Sequence, residues 1–405
     1  MVGAGVFGIT AAIELARRGH SVTLIDPGPL PHPLAASTDI SKVIRMEYGP
    51  DDLYMALAER AREGWLGWNE AWCSRGGEAL YHETGVLMLS RSRLASGGFE
   101  HDSWRLLQAR GHRPERLDAE AIARRFPGWR SAGYVDGFYH AKGGYAESGR
   151  VVEALVQDAR AGGVRFVTGR RAVTLIEQRG RVSGVLDDHG DEHRARDVVV
   201  AAGAWTGKLL GLRGAVRATG HPVFHLRPRD PSSFAAERFP VFAADIARTG
   251  YYGFPLNRDG VVKIGHHGPG VPIDPDAPRS VSDEQLAGLR AFLADTCPAL
   301  LDAEVLYTRL CLYADSQDGD FWIARDPNRP GLTVASGDSG HGFKFAPVLG
   351  ALIADAVEEK PNPLLQRFHW RPEVRLEHGR EAARFHGGPF TSTPSDRGAG
   401  RSAPR

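Results

Sequence analysis

The three glycines at the start of the chain constrain its fold more than any other feature. Gly3, Gly5 and Gly8 have the spacing G-x-G-x-x-G within the opening string MVGAGVFG. The first glycine permits a tight turn out of a strand, and the second lets the backbone approach a pyrophosphate. The third lets the following helix pack closely against the sheet. Because the glycines alone are also compatible with an ordinary tight turn, the flanking elements decide the interpretation.

The residues after the glycines supply those elements in register. Apolar spacing predicts a helix over residues 9 to 18. β-Branched residues predict a strand over residues 21 to 25, and Asp26 follows it where a carboxylate would meet a ribose hydroxyl. Together these features predict a dinucleotide site. Only Met1 and Val2 precede the motif, so we expect its central first strand to be nearly absent, with weakened stability and cofactor affinity.

Length and composition limit the classes to which the protein can belong. A chain of 405 residues predicts two domains. A net charge of +1 gives no electrostatic reason to expect nucleic acid or an anionic membrane as partner. No apolar run approaches the ~20 residues of a spanning helix, and no signal peptide precedes the glycines. Cys73, Cys297 and Cys311 have neither disulfide nor zinc-site spacing, which favours a cytoplasmic location and predicts no metal site.

The segment STDISKVIRMEYG, residues 37 to 49, concentrates polar groups after a proline-rich stretch. Ser37 and Thr38 offer hydroxyls, while Lys42 and Arg45 would share one side of a helical turn. A solvated basic turn is the simpler interpretation of this pattern alone, and a binding segment is the alternative.

Three later stretches return to an alternating αβ pattern. Residues 144 to 167 predict a helix and then a strand, with Ser148 as the helix cap. An apolar strand over residues 198 to 202 leads to Trp205, which is nearly as compatible with a structural role as with a ligand contact. A strand over residues 332 to 335 enters the glycine-rich string GDSGHGFK. Such a turn aims backbone N–H groups at an anionic or carbonyl-rich ligand.

Residues 216 to 324 have a different pattern. Short alternating runs separated by prolines predict a mostly antiparallel second sheet. Within the string VVKIG, alternation places Lys263 on the face opposite Val262 and Ile264. From spacing alone, an edge-strand lysine that points to water fits this position equally well. Sequence alone likewise favours a structural role for Cys311, as an ordinary buried cysteine.

Motifs at both ends and in the middle of the chain resemble those of one enzyme group. STDISK with the following IR and YG, the VVKIG hairpin, RLCLYADSQDGDFWI and GDSGHGFK are similar to strings of the FAD-dependent amine oxidases. The resemblance is to the sarcosine oxidase and fructosyl amino acid oxidase (amadoriase) group, within the D-amino acid oxidase-like superfamily.

The resemblance implies an α/β fold with a Rossmann-type, glutathione-reductase-like FAD-binding domain and a second, mixed-sheet α+β substrate domain. The FAD-binding domain is expected to comprise residues 1–80, 144–215 and 325–383. The substrate domain is expected to comprise residues 81–143 and 216–324. Residues 384–405 are small, polar and rich in proline and glycine, which predicts a disordered tail.

The motifs and the resemblance together predict the site residues. The predicted catalytic residues are Lys42, Tyr48, Tyr252, Lys263 and His267. The predicted substrate-binding residues are Arg45, Asp338 and Lys344. The predicted cofactor-binding residues are Gly3, Gly5, Val6, Phe7, Gly8, Asp26, Ser37, Thr38, Lys42, Val173, Trp205, Cys311, Gly340, His341, Gly342 and Lys344. In the similar enzymes the lysine at the hairpin lies over the flavin and assists reaction with oxygen. The cysteine bonds the flavin 8α carbon, which implies covalent FAD through Cys311.

The reaction implied by the resemblance is oxidation of a secondary amine. Hydride moves from the carbon beside nitrogen to the flavin, water hydrolyses the resulting imine, and oxygen is reduced to hydrogen peroxide. Asp338 and the STDISK string favour fructosyl amino acids as substrates, and N-methyl or pipecolate-type amino acids are the alternative. A dehydrogenase that uses another electron acceptor, and a non-catalytic flavin-binding remnant without its first strand, are further alternatives. The expected partners are a small amine and O2, with the protein as a monomer.

Overall fold

The computed structural model describes residues 1–129, 133–373 and 381–384. Over this part of the chain the helices are α1 (Val6–Arg17), α2 (Asp52–Ser74), α3 (Phe99–Ala109), α4 (Ala119–Arg125), α5 (Ser148–Ala161), α6 (Thr206–Leu209), α7 (Ile246–Thr249), α8 (Asp283–Thr296) and α9 (Ala346–Val357). The strands are β1 (Thr23–Asp26), β2 (Lys42–Ile44), β3 (Tyr81–His82), β4 (Val86–Ser90), β5 (Glu115–Asp118), β6 (Asp136–His140), β7 (Gly144–Ala146), β8 (Arg165–Thr168), β9 (Ala172–Gln178), β10 (Arg181–Asp187), β11 (Glu192–Arg194), β12 (Val198–Val200), β13 (Val216–Arg227), β14 (Val241–Ala244), β15 (Tyr251–Gly253), β16 (Val262–His266), β17 (Val271–Pro272), β18 (Glu304–Ser316), β19 (Trp322–Arg325) and β20 (Leu332–Ser336).

A single residue, Val2, completes the sheet of the glycine motif. β1 pairs in parallel with β8, and β12 pairs in parallel with β20. Val2 forms parallel bridges to Ile25 and Val200 and thereby joins the two pairs. Its N–H donates to Val199 O, and its C=O accepts from the N–H of Ala201, both at 2.8 Å. The first strand is as short as expected, yet Val2 makes the central hydrogen bonds of the sheet. The expected loss of stability and cofactor affinity remains a prediction.

Helix α1 packs against its neighbours through glycines. It begins at Val6, earlier than the predicted residue 9, because the third glycine of the motif lies inside its first turn. A Cβ on Gly8 would lie 1.9 Å from Gly3 O, so no other residue fits there. A Cβ on Gly350 of α9 would lie 2.5 Å from Thr10 O, so the backbones of α1 and α9 are in close contact.

The second sheet has the order β17-β13-β16-β15-β14-β4-β6-β5, and β18 also pairs with β13. All its pairs are antiparallel except β4 with β14, which agrees with the pattern of residues 216 to 324. Lys263 lies on β16, between β13 and β15, and is 1% exposed. The interpretation of this residue as an edge-strand lysine pointing to water is therefore wrong.

Two local predictions are corrected. Ser148 is the first residue of α5 rather than its cap, and its hydroxyl donates to Asp39 O at 2.8 Å. Arg384 belongs to the predicted tail, but it forms an ion pair with Asp315. The rest of that prediction, residues 385–405, lies outside the described residues.

The domain boundaries remain a prediction. Among the described helices, none has both the length and the apolar character needed to cross a membrane.

Candidate active site

A cavity extends from the glycine-rich turn to the second sheet. It is lined by the predicted residues Gly3, Gly5, Val6, Phe7, Asp26, Ser37, Lys42, Arg45, Val173, Trp205, Tyr252, His267, Cys311, Asp338, Gly340, His341 and Lys344. The predicted residues Gly8, Thr38, Tyr48, Lys263 and Gly342 do not line it. The fold therefore brings the glycine motif, the basic segment and the second glycine-rich turn to one cavity.

The glycine motif forms one end of this cavity. Gly3 has a φ of +97°, and a Cβ there would lie 2.5 Å from Ala201 O, so the turn requires glycine. Asp26 accepts hydrogen bonds from the N–H groups of Ala4 at 2.9 Å and Gly28 at 3.0 Å. These bonds fix the carboxylate while leaving it lone pairs for the hydroxyls of a ribose.

Two predicted residues pack behind the lining instead of forming it. Tyr48, a predicted catalytic residue, lies in the layer behind the lining, where its hydroxyl donates to His341 Nδ1 at 3.2 Å. Its ring stacks on Tyr54 with the centroids 5.1 Å apart. At Gly342 a Cβ would lie 2.8 Å from the ring of Phe7, so this glycine lets the second turn approach helix α1.

Lys263 belongs to a buried cluster of charges directly behind the cavity. Its Nζ lies 2.7 Å from Asp39 Oδ2, and it also donates to Ser41 O. Asp39 Oδ1 bonds to His225 Nε2 at 3.1 Å, and Lys42 Nζ lies 3.9 Å from Oδ2. Burial lowers the pKa of Lys263 to about 8, although Asp39 opposes this shift. Burial would raise the pKa of Asp39, but Lys263 and His225 hold it well below its usual range.

Of the three cysteines, Cys311 is the one that lines the cavity. It is 1% exposed on β18, and its Sγ lies 4.0 Å from Lys42 Nζ. Cys297 is buried in a separate apolar cluster, where its thiol donates to Gly128 O at 3.0 Å, and Cys73 is exposed. A group bound in this cavity would therefore contact Cys311 and neither of the other two cysteines.

Arg45 and Glu381 face each other in the cavity wall. Arg45 Nη2 lies 3.6 Å from Glu381 Oε1, and the two side chains are 7% and 5% exposed. Arg45 Nη1 and Glu381 Oε1 are buried and have no hydrogen-bond partner among the described residues. The other oxygen of Glu381 bonds to His267 Nε2 at 2.8 Å. A buried guanidinium with an unpaired donor indicates a site for an anionic ligand.

Lys344 is a further basic side chain of the lining, close to Arg45. Its Nζ donates to His341 O at 2.8 Å, and the indole of Trp65 donates to the Lys344 carbonyl at 2.8 Å. Burial and the neighbouring charge of Arg45 hold the pKa of Lys344 well below its usual range. An anion that reached both groups would offset this penalty.

The second glycine-rich turn is held by its own side chains. His341 Nε2 donates to Gly319 O at 2.9 Å, which leaves Nδ1 to accept from Tyr48. Burial lowers the pKa of His341 to about 4. Asp338 Oδ1 accepts from the N–H of Ala314 at 3.1 Å, and burial raises the pKa of Asp338 to about 6.

Sequence reasoning missed two residues of the site. Asp39 lies inside the STDISK string, three residues before Lys42. An acid so close to a lysine is the sequence signal that indicates its ion pairs. Glu381 lies in the charged string LEHGREA, which has no recognisable motif. Only the tertiary structure brings it to Arg45.

These residues fit FAD, which the fold implies. The glycine turn leaves room for a pyrophosphate at the N-terminus of α1, whose Val6 N–H bonds to Ser37 Oγ at 3.0 Å. Over the described residues, Ser37 lines the cavity, whereas the buried hydroxyls of Thr38 and Ser41, which have no hydrogen-bond partner, lie outside the lining. In the same described ranges, no group of three His, Cys, Asp or Glu side chains is arranged to hold a metal ion.

The comparison with protein families agrees with this geometry. Residues 1–356 match the model of the DAO family, described as FAD dependent oxidoreductase. The chain belongs to this family of FAD-dependent oxidoreductases. It is 29% identical to the L-saccharopine oxidase of Schizosaccharomyces pombe, over 88% of this chain and 89% of that protein. It is 26% identical to the monomeric sarcosine oxidase of a Bacillus species, over 87% of this chain and 90% of that protein.

Solved structures of this family have the same fold. The fructosamine oxidase Amadoriase II of Aspergillus fumigatus, in complex with FSA, superposes with a TM-score of 0.81 at 29% identity, covering 95% of this chain and 92% of that one. Amadoriase I of the same organism superposes with a TM-score of 0.80 at 28% identity, covering 95% and 92%. The predicted α/β fold class and the resemblance to the sarcosine oxidase and amadoriase group are therefore confirmed.

Proposed function

We propose that this protein is an FAD-dependent oxidase of secondary amines that oxidises the C–N bond of fructosyl amino acids. The amine and O2 would give an imine and hydrogen peroxide, and water would then hydrolyse the imine to a carbonyl compound and the free amino acid. The observation that carries the proposal is Arg45. It is a buried guanidinium whose Nη1 has no hydrogen-bond partner among the residues that the structure describes, in a cavity that also contains the dinucleotide motif.

Arg45 and Lys344 are suited to hold the substrate carboxylate. The guanidinium can offer two parallel N–H bonds, while the ammonium acts as a point charge. Both line the cavity, and each is buried without full compensation by the protein. Asp338 and Tyr252 remain predicted contacts on the same lining.

Bound FAD would accept the hydride from the substrate and pass the electrons to O2. The protein's part in the second half of the reaction falls to Lys263, whose ammonium is held by Asp39 at 2.7 Å immediately behind the lining. A preorganised positive charge stabilises the negative charge that develops as O2 is reduced. The proposal includes covalent attachment of FAD through Cys311, supported by its place on the cavity lining and by Lys42 Nζ at 4.0 Å from its Sγ.

Two of the similarities bear on the substrate class. Similarity to amadoriase structures and the STDISK string favour fructosyl amino acids. Similarity to a sarcosine oxidase favours N-methyl amino acids as the second candidate. The cytoplasmic location and the monomeric state also remain predictions.

A peroxide assay across fructosyl-valine, fructosyl-lysine, sarcosine and pipecolate tests the proposal. We expect peroxide from all amines that are turned over, with the highest kcat/KM for a fructosyl amino acid. Equal or better activity on sarcosine would reject the fructosyl branch. Flavin reduction without peroxide would indicate a dehydrogenase. Yellow protein that shows neither flavin reduction nor peroxide with any of these amines would indicate a non-catalytic flavin-binding remnant.

A further inference from the structure

We propose that Glu381 is a specificity-determining residue of the substrate site, which accepts a hydrogen bond from a hydroxyl on the substrate's N-substituent. The inference rests on the proposed function, because it names the residue that distinguishes a polyhydroxylated arm from a methyl group. The carboxylate of the substrate would bind to the neighbouring Arg45.

The first observation is that one oxygen of Glu381 is held and the other is unpaired. Oε2 bonds to His267 Nε2 at 2.8 Å, while Oε1 is buried without a hydrogen-bond partner among the described residues. The residue lines the cavity. A buried carboxylate oxygen without a donor is costly, and a ligand hydroxyl would remove that cost.

The second observation is that the pair with Arg45 is not closed. The separation of 3.6 Å between Nη2 and Oε1 exceeds the usual length of a hydrogen bond. Arg45 Nη1 is also unpaired. The wall therefore presents an unused donor and an unused acceptor side by side, which suits a ligand that carries both a carboxylate and a hydroxyl. In an N-fructosyl amino acid these groups lie on either side of the nitrogen, a few bonds apart.

The third observation is that Glu381 is fixed in place. Three residues further along the chain, Arg384 donates to both oxygens of Asp315 at 2.7 Å and to Gly268 O at 2.9 Å. His267, which bonds to Glu381, is adjacent in sequence to Gly268, which bonds to Arg384. Both residues therefore hold this segment from the same side of the cavity. An acceptor that is already oriented loses little conformational entropy on binding.

The charges around Glu381 keep it an acceptor. Burial would raise its pKa, but the neighbouring His267, His341 and Arg45 hold the pKa well below its usual range. A second carboxylate on the N-substituent would meet this charge at close range. The same residue should therefore disfavour N-carboxymethyl substrates.

The test compares fructosyl-glycine, sarcosine and iminodiacetate in the wild type, Glu381→Gln and the exposed control Glu153→Gln. In Glu381→Gln, kcat/KM for fructosyl-glycine should fall by about 10- to 100-fold, mainly through KM, as expected for loss of a hydrogen bond to a charged group. Sarcosine, which has no donor on its methyl arm, should change by less than about threefold, and iminodiacetate should improve. Glu153→Gln should match the wild type.

Calorimetric binding of fructosyl-glycine to the same proteins separates the two proposals. If kcat/KM in Glu381→Gln fell equally for fructosyl-glycine and sarcosine, the role of Glu381 would be overturned and the proposed function would stand. Binding that depends on Glu381 but yields no peroxide would overturn the proposed function and leave the subsite standing. Neither binding nor turnover of fructosyl-glycine by the wild type would overturn both.

Discussion

Lys263 Nζ lies 2.7 Å from Asp39 Oδ2, and the two side chains are only 1% and 2% exposed. A lysine so deeply buried is stable as an ammonium only beside a carboxylate. The pair joins β16 of the second sheet to the segment of residues 37 to 49, which also supplies Lys42 and Arg45 to the cavity. One ion pair thus connects the second sheet with this segment.

Lys263→Met should slow flavin reoxidation far more than flavin reduction. Loss of a preorganised charge typically costs roughly 10²–10³ in rate. Stopped-flow measurement of the two half-reactions checks this, with the exposed Lys142→Met as the matched control. If both half-reactions slow equally, Lys263 is a structural residue.

Reoxidation should also depend on pH through the same lysine. Burial lowers the pKa of Lys263 to about 8, with Lys42 lowering it further and Asp39 and Cys311 opposing the shift. Since the protonated form is the active one, the rate should be constant below this pH and fall as the pH rises through about 8. Asp39→Asn removes the carboxylate that stabilises the ammonium, so the fall should begin at lower pH. An identical profile in wild type and variant would contradict this account.

Cys311→Ala should release the flavin on acid precipitation. The thiol is the one cysteine side chain on the cavity lining, 4.0 Å from Lys42 Nζ. We expect a yellow pellet from the wild type and from Cys297→Ala, and a colourless pellet from Cys311→Ala. Wild-type protein that loses all its flavin to the supernatant would exclude the covalent bond.

Arg45→Met should raise KM for carboxylate-bearing amines by about 10- to 100-fold, because a charged hydrogen bond is lost. A thermal-unfolding measurement should accompany the kinetics, since the substitution also removes the ion-pair partner of Glu381 Oε1. The exposed Arg105→Met is the control. An unchanged KM would place the substrate carboxylate elsewhere.

The sequence predicted those parts of the site that are local in the chain. Gly3, Gly8 and Asp26 act through their own turn and strand, so their spacing sufficed. The hydrogen bonds of Val2 could not be predicted, because strands far along the chain provide its partners.

Residues that depend on tertiary packing were missed or misplaced. Tyr48 lies next to lining residues in sequence but packs in the layer behind them. The sequence around Lys263 does not indicate whether its strand is central or at an edge, because that depends on the pairing of β16 with β13 and β15. Glu381 has no motif around it and gains its importance only from contact with Arg45 and His267.

The most direct test of the account is anaerobic mixing of the purified holoenzyme with fructosyl-valine, followed by admission of O2. The account predicts that the flavin absorption bleaches in a single turnover, recovers with oxygen, and yields one hydrogen peroxide per flavin. Sarcosine should bleach it more slowly. A flavin that stays oxidised with fructosyl-valine, sarcosine and pipecolate alike would contradict the assignment as an amine oxidase.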